Sequence, residues 1–194
     1  MIRIAAAVTA AALMVTSVLA QSLPPPLTLA DRDRLTQFDT NRMAAVADAM
    51  TATDKRDTAV LTAMLEGNPI PVMRGSLTGA WTCRTAKLGG SDTLKLVVYQ
   101  TFKCVIRRES GALVLQKTTG SQRTKGVLYP APDKPDRLIF AGAGTVNDEP
   151  PLSYGKIERQ DEVGYLFQIS PRRLRLELPR PQFESDFNII ELTR

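Results

Sequence analysis

The chain has 194 residues, 25 of them lysine or arginine and 20 aspartate or glutamate, with a formal net charge of +5. This length suits one domain with a hydrophobic core. The mild excess of positive charge is too small to indicate a nucleic-acid-binding surface. The chain has no histidine, which excludes Ser-His-Asp and Cys-His catalysis and removes the commonest transition-metal ligand.

The first twenty residues have the features of a secretory signal peptide. Arg3 places a positive charge ahead of an uncharged apolar run that closes with small residues at Val18 and Ala20. We predict cleavage after Ala20 and a periplasmic or secreted protein with no transmembrane segment after cleavage. The alternative is an uncleaved membrane anchor, because the run is close to the lower length limit for a span.

Residues 21–194 are predicted to form a single domain that begins with a helical hairpin at 28–66. Thr28 and Asp31 form a capping box at its start, and Asp54 or Asp57 can cap the second helix. Gly67 and the following Asn-Pro pair end it. Between the caps, one amphipathic helix is predicted from an apolar stripe that recurs every three to four residues: Leu35, Phe38, Met43, Val46, Ala49 and Met50.

Beyond Pro71 the helical period gives way to short β-branched or aromatic segments separated by turn residues. Eight or nine antiparallel strands in 76–194 suggest a closed barrel or a sandwich, and we favour a small lipocalin-like barrel in an α+β fold. Side chains at alternate positions of the second strand are predicted to share one face of the sheet: Leu94, Leu96, Val98, Phe102, Cys104 and Ile106. Strands are predicted at 78–87, 94–107, 112–118, 122–129, 136–141, 154–159, 163–169, 173–178 and 187–193.

Cys83 and Cys104 are the only cysteines, and an exported protein favours a disulfide between them. A turn centred on Gly89 to Asp92 would place Cys83 opposite Val98, roughly 20 Å from Cys104. A bridge therefore requires a later turn, a bulged strand, or strands that are not simple hairpin partners. The sequence leaves these alternatives open.

The run from Trp81 to Gly90, with Cys104, Gly126 to Pro130 and Leu178 to Pro181, resembles a family of exported Gram-negative proteins classified as a domain of unknown function. The resemblance implies export, one domain and paired cysteines. More loosely, Gly79-Ala80-Trp81 is similar to the Gly-x-Trp signature of lipocalin and calycin barrels. There the tryptophan closes one barrel end, often against an arginine of the last strand. Arg194, late in the chain, is the only such arginine, so the pattern leaves that pairing open.

The acidic pairs Asp148-Glu149, Asp161-Glu162 and Glu184 with Asp186 fall where turns are expected and are interpreted as solvated loop charge. No catalytic residue, metal site or cofactor is predicted, and the binding residues are unknown. The expected function is non-enzymatic binding of a small apolar ligand in the barrel mouth or of an envelope protein partner. The alternatives are a carboxylate-dependent envelope hydrolase, suggested by Arg180, Glu184 and Asp186, and a basic cell-envelope scaffold.

Overall fold

The structure, a computed structural model, describes residues 27–90, 95–181 and 185–194. The predicted signal peptide at 1–20 lies outside them. Three helices come first: α1 (Leu29–Thr36), α2 (Phe38–Ala49) and α3 (Lys55–Leu65). Eight strands follow: β1 (Gly79–Leu88), β2 (Leu96–Glu109), β3 (Ala112–Lys117), β4 (Gln122–Pro130), β5 (Arg137–Val146), β6 (Asp161–Ser170), β7 (Arg173–Pro179) and β8 (Phe187–Thr193).

The strands close into an antiparallel barrel. Each strand pairs with the next, and β8 returns to β1, with Phe187 opposite Leu88 and Thr193 opposite Thr82. Closure protects the strand edges, which would otherwise expose unpaired backbone groups. The α+β fold predicted from sequence, helices followed by a small antiparallel barrel, is therefore confirmed.

The helical region is capped as predicted but is divided differently. Thr28 accepts a hydrogen bond from the Asp31 N–H, and Asp54 caps α3 by accepting from the Arg56 N–H at 2.8 Å. The single first helix was a wrong prediction, because the chain turns at Gln37 between α1 and α2. No helix in the described part of the chain is long and apolar enough to cross a membrane.

Two apolar clusters stabilise the fold, one inside the barrel and one between its outer wall and the helices. Phe38 is central to the outer cluster, since its ring lies 4.9 Å from that of Tyr165 and 5.7 Å from that of Phe187. Met43 and Met50, assigned to the helix stripe from sequence, are instead 66% and 44% exposed. The barrel interior is filled by Trp81, Cys83, Cys104, Ile106, Leu113, Leu115, Leu128, Leu138, Phe140, Leu166, Leu174, Leu176, Leu178, Ile190 and Leu192, with Leu77 at one end.

A bulge in β2 divides that strand between the two clusters. Arg84 pairs with Thr101 but Ala86 pairs with Val98, so β2 carries one extra residue there. The predicted common face is wrong for this reason. Leu96 and Val98 pack beneath the helices, whereas Phe102, Cys104 and Ile106 belong to the interior. Leu94 lies outside the described residues.

The bulge also brings the cysteines together. Cys83 lies opposite Phe102 and Cys104 opposite Trp81, so the cysteines are diagonal neighbours with a Cα–Cα distance of 5.8 Å and are joined by a disulfide. Two of the three explanations left open by the sequence therefore apply together. The hairpin is centred later than Gly89 to Asp92 would place it, since Leu88 pairs with Leu96, and β2 is bulged.

Trp81 closes one end of the barrel. Its Nε1 donates to the Leu77 carbonyl oxygen at 2.9 Å, and the Arg194 guanidinium lies 4.1 Å from its ring centroid. Arg194 also donates to the carbonyl oxygens of Thr78 and Ser76. The tryptophan–arginine contact that the sequence left open is thus present, and it seals this end with stacked planar groups.

The predicted strand at 154–159 is wrong. Residues 154–156 turn, with Gly155 at φ +80°, and a short 3-10 helix, Glu158–Gln160, leads into β6. The Tyr154 hydroxyl donates to the Asp31 carboxylate at 2.5 Å, which ties this connection to α1. Two prolines before the turn and a left-handed glycine within it prevent regular pairing.

A buried ion cluster fastens the helices to the barrel. Glu177 on β7 is fully buried and bonds to Arg175 at 2.5 Å and to Arg42 of α2 at 2.7 Å. Arg175 also donates to the carbonyl oxygens of Met64 and Leu65, which lie in the last turn of α3. Glu177 therefore links β7 to α2 directly and to α3 through Arg175.

We expect Glu177→Gln to lower the free energy of unfolding by about 3 kcal/mol, because Arg175 remains buried, and Arg42 part-buried, without their counter-charge. Urea unfolding followed by circular dichroism measures the change. Glu109→Gln is the control, since Glu109 forms part-exposed ion pairs with Arg107 and Lys125 and should contribute little. Equal effects of the two substitutions would contradict the assignment.

Reduction of the Cys83–Cys104 bridge should lower the free energy of unfolding by roughly 3 kcal/mol, because it closes a loop of 21 residues. The measurement is urea unfolding with and without dithiothreitol. The Cys83→Ala/Cys104→Ala double variant should be insensitive to the reductant. Alkylation of both cysteines before any reduction would show that the bridge is absent.

Candidate functional site

The end of the barrel opposite Trp81 is polar. A cavity of about 50 Å³, here called the mouth cavity, lies where β1 and β3 end and β4, β6 and β8 begin. A second cavity of about 110 Å³ shares Thr85, Lys87, Lys117 and Gln122 with it and adds Tyr99 and Phe102. The mouth cavity is lined by Thr85, Lys87, Lys117, Gln122, Arg123, Thr124, Gly144, Thr145, Val146, Glu162, Leu178, Pro181, Asn188 and Ile190.

Lys117 enters the cavity because it continues the inward face of β3. It follows Leu113 and Leu115 at a spacing of two residues, and it is only 7% exposed. Its Nζ donates to the Gln122 carbonyl oxygen at 2.8 Å and lies 4.1 Å from the Phe102 ring centroid. Burial, followed by repulsion from Lys87, lowers the pKa of Lys117 to about 8.

Lys87 enters the cavity because it continues the inward face of β1. Trp81, Cys83 and Thr85 precede it on the inward parity of the strand, and its side chain is 8% exposed. Its Nζ lies 5.9 Å from the ring centroid of Tyr99. Lys87 on β1 and Lys117 on β3 are thus both largely removed from solvent beside one cavity.

Glu162 faces them from β6. It is 9% exposed and accepts a hydrogen bond from the Thr124 hydroxyl. The neighbouring strand leaves space for this carboxylate, because a Cβ on Gly144 would lie 3.0 Å from the Glu162 Oε1. Burial raises the pKa of Glu162 to about 7, although Thr124, Lys117, Lys87 and Arg34 all favour the ionised form.

The sequence-based interpretation of Asp161 and Glu162 as solvated turn charge is therefore wrong. Both residues begin β6, and Asp161 is 1% exposed. Of the residues named for the hydrolase alternative, Arg180 and Asp186 lie together, since the Arg180 N–H donates to the Asp186 carbonyl oxygen at 2.8 Å, but their side chains have different partners. Arg180 pairs with Asp33, while the Asp186 carboxylate accepts from the Gly90 N–H at 3.0 Å. Glu184 lies outside the described residues.

The cysteines, the only site residues named from sequence, are not part of the mouth cavity. The residues that line the mouth cavity were not predicted from sequence, although their positions in the strand pattern could have indicated them. Lys87, Lys117 and Glu162 each occupy an inward position of a strand that also contributes at least one residue to the apolar interior. A charged residue on the core parity of a strand is unexpected in a packed barrel and indicates a site.

The titration of Glu162 predicts a distinctive pH dependence of stability. Its folded-state pKa lies above its ordinary value of 4.5, so the folded protein retains a proton that the unfolded chain releases. The stability of the wild type relative to Glu162→Gln should be highest below about pH 4.5. It should fall by roughly 3 kcal/mol as the pH rises through 7.

Urea unfolding of both proteins at pH 5, 6, 7 and 8 measures this difference, in which the contributions of groups that do not interact with Glu162 cancel. Lys117, whose pKa the Glu162 carboxylate raises, adds a contribution toward pH 8. Glu109→Gln is the opposite control, because the Lys125 ammonium lowers the pKa of Glu109. There the wild type should gain stability over the variant as the pH rises through the acidic range. A flat difference for Glu162→Gln would show that Glu162 titrates normally.

Comparison with known proteins places the chain in a family without assigning it a function. No curated protein matches the sequence. Residues 26–192 match a domain of unknown function, DUF4893, which spans the three helices and all but the last residue of β8. Since the match covers most of the chain, the protein belongs to the DUF4893 domain family.

Proposed function

We propose that the protein is a non-enzymatic binding protein whose barrel mouth takes a small oxyanion, such as a carboxylate, sulfate or phosphate group. The observation that carries this proposal is the presence of two nearly buried lysines, Lys87 and Lys117, beside one small polar cavity. Ammonium groups held in a low-dielectric pocket attract an anion far more strongly than they would in water.

The small size of the cavity and the two lysines that line it favour an oxyanion over the small apolar ligand expected from sequence. Pockets for drug-sized apolar ligands usually measure about 300–1,000 Å³, whereas the mouth cavity measures about 50 Å³. The rest of the interior is occupied by packed side chains. The hydroxyl group of Thr85 and the amide of Asn188 add hydrogen-bond donors at the cavity.

The cost of the lysines supports a functional role. Burial of an ammonium group is unfavourable, and an apolar residue at position 117 would continue the pattern of Leu113 and Leu115. A destabilising charge in an otherwise apolar interior is typical of binding sites and active sites, where function is retained at the expense of stability.

The two alternatives from sequence have less support. The hydrolase would need Arg180, Glu184 and Asp186 in one cleft, yet Arg180 is engaged by Asp33. The basic scaffold would need free surface cations, yet Arg107 pairs with Glu109 and Arg173 with Glu191. An exported location also remains part of the proposal, and the Cys83–Cys104 bridge supports it because disulfides persist in oxidising compartments.

Isothermal titration with acetate and with sulfate, in a buffer without other oxyanions, tests the proposal. We expect acetate to bind with a Kd on the order of a millimolar, since a ligand of so few atoms cannot bind much tighter than tens of micromolar. The isosteric neutral acetamide should not bind.

Lys87→Gln and Lys117→Gln should each weaken acetate binding at least about tenfold, because each removes one buried ammonium group. Lys103→Gln is the matched control, since Lys103 lies on β2 with an exposed side chain. Absence of acetate and sulfate binding to the wild type, or equal losses in all three variants, would refute the proposal.

A further inference from the structure

We propose that the oxyanion enters the mouth cavity together with a proton, which Glu162 takes up. This inference rests on the proposed function and concerns the same site. Glu162 is the only acidic residue among the described residues that line the mouth cavity. Its ionised carboxylate is therefore a negative charge that a bound anion meets there.

The groups around Glu162 come from every side of the barrel. Lys87 on β1, Lys117 on β3 and Arg34 on α1 act on it as cations, and Arg123 of β4 also lines the cavity. The remaining neighbours carry no charge: Thr124 on β4, Gly144 on β5, Leu178 on β7 and Asn188 on β8.

Electrostatic repulsion explains why a proton accompanies the anion. With Glu162 ionised, its carboxylate repels an incoming anion at short range. Protonation removes that negative charge and turns the carboxylate from an acceptor into a group that can donate one hydrogen bond. The neutral acid can then contact the anion that its ionised form repels.

The burial of Glu162 brings this proton within reach at ordinary pH. The pKa of Glu162 is already raised to about 7 in the empty site, and a second negative charge beside it raises the pKa further. By linkage, anion affinity then increases as the pH falls through the range between the two pKa values. Lys117, whose pKa is lowered to about 8, adds a separate loss of affinity only at higher pH.

The test is sulfate titration from pH 6.5 to 9, because sulfate does not itself change charge in this range. Wild-type affinity should fall by about tenfold between pH 6.5 and 8, as one linked proton permits. Glu162→Gln, which resembles the protonated form, should retain the affinity seen at pH 6.5 and change less than about twofold up to pH 7.5. The loss due to Lys117 should remain above pH 8 in both proteins.

A second measurement needs no variant. Titration of sulfate into the wild type at pH 7, in two buffers of different ionisation enthalpy, reports proton uptake directly. We expect about half a proton per sulfate, since a group with a pKa near 7 is half ionised there. Lys117 is then almost fully charged and contributes little.

The outcomes separate the two proposals. If the wild type binds no sulfate at any pH, the proposed function fails. If sulfate binds through Lys117 but proton uptake is near zero, or Glu162→Gln keeps the wild-type pH profile, only the proton coupling fails. Proton uptake that disappears in Glu162→Gln while sulfate still binds establishes the coupling.

Discussion

The bulge in β2 is the constraint on which the rest of the structure depends. A regular strand would place Leu96 and Val98 on the same face as Phe102, which is the barrel interior. The extra residue between Val98 and Thr101 reverses the parity. Leu96 and Val98 then pack under the helices, and Tyr99 faces the cavity that contains Lys87 and Lys117. The one extra residue in β2 thus gives the helices an apolar surface to pack on and keeps Leu96 and Val98 out of the barrel mouth.

The two ends of the barrel consequently have different chemistry. At one end Trp81 and Arg194 stack and satisfy nearby carbonyl groups, so the end is sealed. At the other end the inward positions are occupied by lysine, threonine, asparagine and glutamate rather than by leucine. The disulfide lies between the two ends, since Cys104 pairs with Lys117 across β2 and β3 and Cys83 lies two residues before Thr85 on β1.

The sequence predicted the architecture well because hydrophobic period is a local property. The capping residues Thr28 and Asp54 and the alternating apolar positions of the strands follow from patterns a few residues long. The pairing of the two cysteines is expected from the export signal and not from strand register. The bulge could not be predicted, since nothing in Val98 to Thr101 distinguishes a bulged from a regular strand. The error at 154–159 has a similar origin, because short segments next to proline and glycine can be read as strand or as turn.

The candidate site was missed for a more specific reason. Asp161 and Glu162 follow a segment rich in turn residues, so their charge was assigned to solvent. In the structure β6 begins two residues earlier than predicted, and the added residues carry both carboxylates into the wall. Strand boundaries are the least reliable part of a sequence-based prediction, and here the boundary decides whether Glu162 is a surface charge or a buried acid.

The molecule contains two buried clusters of one carboxylate and two cations, and their contrast supports a binding role for the mouth. Under the helices, Glu177 is bonded by both Arg175 and Arg42 at 2.5–2.7 Å, so that charge is matched by directed hydrogen bonds. At the mouth, Glu162 accepts from the neutral hydroxyl of Thr124, while Lys117 donates to the neutral carbonyl oxygen of Gln122. Arginine's planar fork suits permanent pairing, whereas lysine's compact ammonium can exchange partners. A cluster built for stability alone would resemble the first, whereas at the mouth the Lys117 ammonium, which donates to a neutral carbonyl oxygen, keeps a charge that an anion can neutralise.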